Sequence, residues 1–140
     1  MRRQAGVAVY VHVAWSTWDR LPLLTGEMER RIYRAIAAKC AELGADVVAL
    51  GGVEDHIHLL IKQPPALALS YIIGQVKGAS SHLANHDLPT DGTFFKWQGA
   101  FGADSISPSA LSAASAYIAN QKQHHREQSI IPEWEPHLPK

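Results

Sequence analysis

The segment Asp55-His56-Ile57-His58-Leu59-Leu60-Ile61 carries two histidines one residue apart inside an apolar run. Side chains of a strand alternate between two faces, so positions 56 and 58 point the same way. Their imidazoles then meet at one place, which is half of a metal site built on a rigid element. Ile57, Leu59 and Ile61 face the opposite side and anchor the strand. The plainer alternative is two packed histidines hydrogen-bonded to their neighbours. A four-ligand structural zinc site is implausible in a chain with one cysteine, Cys40. A divalent ion such as Mg²⁺ or Mn²⁺, which keeps positions open for phosphate oxygens and water, suits the pair better.

A second polar cluster lies downstream: Tyr117-Ile118-Ala119-Asn120-Gln121, followed by His124 and His125. On a helix, Gln121 sits one turn beyond Tyr117 on the same face, with Asn120 beside it and His124 one turn further. Taken alone, this is equally a core tyrosine with a polar surface behind it. Joined to the histidines, it is a phenol next to an amide able to ligate the same metal. A free phenol has a pKa of about 10 and is a weak nucleophile at neutral pH. Metal polarisation of a phosphate, or a neighbouring base, must supply its activation.

The elements that would position these groups follow from periodicity. Residues 7–15 alternate as a strand, with Val7, Val9, Val11 and Val13 on one face. Residues 16–22 read as a loop. Thr25 or Gly26 caps a helix running to about Leu43, with Met28, Ile32, Ile36 and Cys40 at helical spacing and Gly44 as its stop. Residues 46–53 and 55–62 are two further strands of a hairpin, with Gly51-Gly52 marking a bulge or a close backbone approach. Ser70 caps a second helix to about Asn85, striped by Ile72, Ile73, Val76 and Leu83. Residues 86–93 read as a polar turn, 94–106 as an irregular fourth strand, and 108–126 as a last helix opened by Pro108. The order spells an α+β, ferredoxin-like split β-α-β-β-α-β sandwich: a four-stranded antiparallel sheet with two helices on one face. A C-terminal helix carries Tyr117.

The bulk numbers agree. The chain has 140 residues, 46% of them hydrophobic, enough for the core of one domain. We expect a core over about 6–107, a tyrosine helix over about 108–127 and a tail over 128–140. No apolar stretch approaches the roughly 20 residues needed to span a bilayer, and the N-terminus lacks a signal-peptide pattern. A cytoplasmic location is expected. Cys40 reads as a core residue rather than a nucleophile. The formal charge is zero, which argues mildly against strong nonspecific DNA binding, although basic residues group locally: Arg2, Arg3 and Arg20 early, Arg30, Arg31 and Arg34 on a helix, and Lys122 and Arg126 late.

The chain resembles the small transposases of the insertion-sequence-200 type, single-tyrosine HUH endonucleases that include the REP-associated tyrosine transposases. The resemblance rests on five blocks in order. They are His12-Val13-Ala14-Trp15-Ser16-Thr17 with Arg20-Leu21-Pro22-Leu23-Leu24; Asp55 through Ile61; Ser70 through Ser81; Phe95-Lys96-Trp97-Gln98 with Phe101-Gly102; and Tyr117 through Gln121 with His124-His125-Arg126. His-x-His alone is a weak signal; the five blocks together are specific. The resemblance implies that His56 and His58 bind a divalent metal, Mg²⁺ or Mn²⁺, with Gln121 as third ligand. It implies that Tyr117 attacks a phosphodiester of single-stranded DNA, leaving a 5′-phosphotyrosine and a free 3′-OH. It also implies hairpin-ended substrates, a homodimer and a movable arm about Gly99 and Gly102.

The chain departs from its relatives at Trp18, where many carry a basic residue, and at Ala100-Phe101, where Gly-Tyr is common. The low net charge is a third departure. None touches the expected catalytic positions. Trp15 is expected in the core, while Trp18 and Trp97 stay open between core and base stacking. Two other classes compete: a noncatalytic, domesticated nucleic-acid-binding module on the same fold, and a hydrolase whose histidines activate water and leave Tyr117 idle.

Overall fold

Helix α1 (Gly26–Leu43) buries Ile32, Ile36 and Cys40 at four-residue spacing and keeps Glu27 and Glu29 in its first turn, where the helix dipole favours negative charge. It ends on Gly44, whose φ of 77° lets the Gly44 and Ala45 amides return to carbonyls of the last turn. Thr25 occupies the N-cap position without a side-chain cap bond. The computed structural model describes residues 6–86 and 94–136. The expected polar turn beyond His86, the basic pair Arg2-Arg3 and the last four tail residues lie outside the described residues.

The strands are β1 (Tyr10–Ser16), β2 (Asp46–Val53), β3 (His56–Lys62) and β4 (Gly102–Ile106). They form one antiparallel sheet in the order β2-β3-β1-β4, which is the expected ferredoxin-like arrangement. Val11, Val13, Trp15, Ile57, Leu59 and Ile61 project from one face onto α1 and α2 (Leu69–His86) and make the main core. Ile72, Ile73 and Val76 carry the α2 stripe as expected, but its continuation is Ser80 and Ala84, with Leu83 only half-buried. The helix also starts one residue before Ser70, so that serine is not its cap.

The other sheet face carries Leu60 and Ile106. They pack against Ala114, Tyr117 and Ile118 of α3 (Leu111–Ala119). Two expectations are corrected here. The last helix is not continuous: a 3-10 turn over Pro108–Ala110 leads into α3, and the chain kinks at Asn120 before α4 (Gln121–Glu127). The Asn120 side-chain amide donates to the Ala116 carbonyl, a local bond that competes with regular helix. The fourth strand is also shorter than its aromatic run indicates. Residues 94–101 form a loop joined to the end of β1 by the Thr17–Trp97 bridge and by the Gln98 amide, which donates to the Ser16 carbonyl at 2.9 Å. Lys77 Nζ clamps the carbonyls of Gln98 (2.6 Å) and Ala100 (3.2 Å), and the Asn85 side chain holds both backbone groups of Phe95. These tertiary bonds replace a strand ladder.

The close approach expected at Gly51-Gly52 is present. A Cβ at Gly51 would overlap the Ile118 carbonyl oxygen of α3. The register shift of β2 falls elsewhere, between Val47 and Ala49.

Candidate active site

His56 and His58 leave β3 on the face away from the main core and are fully buried beneath α3 and α4. Each ring is oriented by a partner on its Nδ1. Asp55 Oδ1 lies 2.8 Å from His56 Nδ1, and Arg20 Nε donates to Asp55 Oδ2 at 3.3 Å. Arg20 reaches that position from a turn in which Asp19 and Arg20 both hold left-handed φ values, 56° and 55°. His12 Nε2 lies 2.8 Å from His58 Nδ1, with the two ring planes nearly parallel. His12 comes from β1, diagonal to His58 across the ladder. Its other nitrogen faces Asp104 Oδ2 at 3.8 Å, which favours a proton on His12 Nδ1 and on His58 Nδ1 in turn. In the neutral tautomers that these partners favour, His56 Nε2 and His58 Nε2 turn lone pairs toward α3 and α4, while a protonated His56 donates from Nε2 to Glu135.

The residues singled out from the sequence do converge, within one chain. Gln121 is buried, and its Oε1 lies 3.3 Å from His56 Nε2. Tyr117 is 4% exposed, and its ring meets His58 edge-on at 5.9 Å. His124 stays outside this cluster: its ring packs against Tyr117 and its Nδ1 lies 2.9 Å from Ser129 Oγ. His125 enters, with Nε2 3.1 Å from Gln121 Oε1.

Sequence reading missed the group at the centre, Glu135. It follows a 3-10 turn over Pro132–Trp134 in the tail, which folds back across the site. Glu135 Oε1 lies 2.9 Å from His56 Nε2 and 3.0 Å from His125 Nε2. Its Oε2 accepts a short hydrogen bond from the Tyr117 hydroxyl and a longer one from Gln121 Nε2 at 3.3 Å. Tyr117 in turn accepts from the Ile131 amide at 3.0 Å, and Trp134 packs edge-on against its ring. No periodic signal marks Glu135, because it lies between two prolines in an irregular segment. His12 was not assigned to the site either, although a histidine within the apolar alternation of residues 7–15 is a signal that could have found it.

The electrostatics follow from this crowding. Burial opposes charge on His56, but its bonds to Asp55 and Glu135 overcome that and raise its pKa. At His58 burial prevails over the nearby carboxylate, and the pKa falls. Burial and the His58 ring push His12 down to about 4. Burial would raise the Glu135 carboxyl, yet the hydrogen bond from His56 and the neighbouring His58 hold it far below the usual carboxylate range. Burial, then the Glu135 contact, pushes the Tyr117 phenol up to about 12.

One buried atom tests whether a cation fits. His58 Nε2 sits 3.3 Å from Glu135 Oε2 but is too poorly aligned to bond it, and it has no hydrogen-bond partner. An inward lone pair beside a carboxylate is what a metal ligand presents. His56, His125 and Glu135 offer donor atoms all within 4.8 Å of one another. The donor set fits a divalent ion.

The sequence model of the family described as "Transposase IS200 like" matches residues 6–121. The chain belongs to the IS200-like transposase family. A curated relative of this transposase chain, the ISDra2 transposase TnpA of Deinococcus radiodurans, is 29% identical over 70 residues. That stretch spans 50% of this chain and 50% of the relative. Two solved structures share the transposase fold. One, of a protein from Deinococcus radiodurans R1 taken to be a transposase, has a TM-score of 0.65 and 22% identity, covering 86% of this chain and 96% of that one. The other, a REP-associated tyrosine transposase bound to a REP hairpin, has a TM-score of 0.66 and 15% identity, covering 93% and 74%.

Proposed function

We propose that this chain is a metal-dependent DNA transposase that cleaves and rejoins single-stranded DNA through Tyr117. One observation carries the reading: the Tyr117 hydroxyl, His56, His58 and Gln121 all gather around a single carboxylate in one protomer. His56, His58 and Gln121 would hold a divalent cation, Mg²⁺ or Mn²⁺, which would supply polarisation of the scissile phosphodiester. Arg20-Asp55 and His12-Asp104 keep the two imidazoles turned toward it.

Tyr117 is the nucleophile. Its oxygen bonds to phosphorus while the bond from phosphorus to the 3′ oxygen breaks. The phenol gives up its proton and the departing 3′ oxygen takes one up, leaving a 5′-phosphotyrosine and a 3′-OH. The phosphoester bond is conserved in the linkage, so rejoining needs no nucleotide cofactor. The phenol is buried under residues 131–136 in this conformation, so the tail shifts before a phosphate reaches it. A cleft of about 280 Å³, lined by Ser16, Gln98, Phe101, Asp104 and Trp134, opens beside Glu135 and suits a nucleotide next to the reacting phosphate.

The substrate class, single-stranded DNA with hairpin ends, is supported by the family and by the hairpin bound to the structural relative. The family resemblance also supports a homodimer, one transposase domain over 1–140 and action on cytoplasmic DNA. No helix among the described residues is long and apolar enough to cross a membrane.

The test is incubation with hairpin-containing single-stranded DNA and Mn²⁺ or Mg²⁺, followed by denaturing gel analysis. A covalent protein–DNA adduct is expected, lost in Tyr117→Phe and on chelation. An adduct that survives in the Phe variant removes Tyr117 from the mechanism. Binding that ignores chelators and yields no adduct supports a noncatalytic module instead.

A further inference from the structure

We infer that the C-terminal tail carries a ligand of the cation: Glu135, together with His125, completes the donor set, so that cation loading fastens residues 131–136 over Tyr117. The inference rests on the cation site proposed above and adds two residues to it from outside the strand-borne pair.

Geometry is the first support. For a cation with donors at about 2.1 Å in octahedral array, neighbouring donors lie about 3.0 Å apart. The separations here are 2.9 Å for His56 Nε2 to Glu135 Oε1 and 3.0 Å for His125 Nε2 to the same oxygen. They are 3.1 Å for His125 Nε2 and 3.3 Å for His56 Nε2 to Gln121 Oε1. His58 Nε2 stands 3.3 Å from the other Glu135 oxygen.

Donor chemistry is the second support. Two imidazole nitrogens, from His56 and His125, converge with the Oε1 atoms of Gln121 and Glu135. A proton on His56 Nε2 would charge that buried ring, because its Nδ1 already bonds Asp55, and His58 Nε2 is left with no hydrogen-bond partner. One divalent cation satisfies the His56, His125, Gln121 and Glu135 donors together, with His58 Nε2 beside the second Glu135 oxygen. The outer shells also keep His56 and His58 with their Nδ1 groups engaged elsewhere.

The consequence reaches the nucleophile. Glu135 Oε2 accepts the Tyr117 hydroxyl bond, so a carboxylate anchored to the cation by one oxygen holds the phenol with the other. Glu135 thus holds the phenol in the closed conformation, and this contact is released when the tail shifts for a phosphate.

The experiment titrates Mn²⁺ into the metal-stripped full chain, with calorimetry and the electron-paramagnetic-resonance signal of free Mn²⁺ as readouts. Glu135→Ala and His125→Ala are each expected to weaken binding by about ten-fold or more, with Glu135→Gln between Glu135→Ala and wild type. Far-UV circular dichroism and thermal melts without metal check that each variant folds. Hydrogen exchange is the second readout: Mn²⁺ should slow exchange across 131–136 in the wild type and not in His56→Ala. Unchanged or tighter Mn²⁺ binding by Glu135→Ala overturns the inference and makes the tail carboxylate a competitor for the cation's place. A wild type that binds no Mn²⁺ removes the cation site itself. Wild-type binding that requires His56 but not Glu135 removes only the tail ligand.

Discussion

Gly51 on β2 pairs directly with His58 on β3, and its missing side chain is the space that the Ile118 carbonyl of α3 occupies. The residue opposite a candidate metal ligand thus sets how closely the tyrosine helix approaches the sheet. Tyr117 precedes Ile118, so its phenol reaches the histidines only because that approach is allowed.

Gly51→Ala tests this relationship. The added methyl overlaps backbone, which cannot rotate away, so α3 must lift. A destabilisation of about 2–3 kcal/mol is expected, with the melting temperature lowered by roughly 5–10 °C. The DNA adduct should fall further than stability alone explains, measured under conditions where the variant is still folded. A variant with unchanged melting and unchanged adduct yield would show that α3 does not depend on this contact.

His12→Ala addresses the ring behind His58. Removing His12 leaves His58 Nδ1 without its partner and frees the ring to turn. Mn²⁺ affinity should drop by roughly 10–100-fold, read by calorimetry. An unaltered Kd would mean that packing alone orients His58.

Trp18 lies 47% exposed at the start of the loop after β1, with Lys96 Nζ 4.1 Å from its ring centroid. It is the aromatic residue of the early loop available for stacking on an unpaired base. Trp18→Ala is expected to cost about 1–3 kcal/mol of single-strand affinity, measured by fluorescence anisotropy, with no change in melting temperature. Equal affinity would assign Trp18 to Lys96 alone. Trp97 needs no such test: it is buried, and its indole N–H donates to Ser80 Oγ at 2.9 Å.

Cys40 supplies a pH prediction. Burial pushes its thiol from an ordinary value of 9.0 up to about 11. The folded pKa lies above the unfolded one, so the stabilisation is full below pH 9 and is lost as pH rises toward 11. The wild type should lose about 2–3 kcal/mol more than Cys40→Ala between pH 8 and pH 11, by urea denaturation. Parallel pH profiles for the two proteins would contradict it. The same burial predicts no reaction with a thiol reagent until the chain unfolds.

Much of the architecture was legible from local pattern. The period-two alternation of residues 56–62 put both histidines on one face, and helical spacing in 26–43 named the residues that α1 buries. Legibility failed where long-range bonds override local preference. The aromatic run 94–98 resembles a strand, yet Lys77 and Asn85 hold it as a loop. The helix through Tyr117 breaks at Asn120, where a side-chain bond competes with the backbone.

What the sequence by itself determined is which face each side chain takes within its own element, because a strand repeats every two residues and a helix every 3.6. Only the tertiary structure decided that positions 12, 56, 58, 117, 121, 125 and 135 meet. That depends on strand order, on the room left at Gly51 and on the return of an irregular tail. Proximity between distant segments arises from packing, and packing leaves no period in the chain to read.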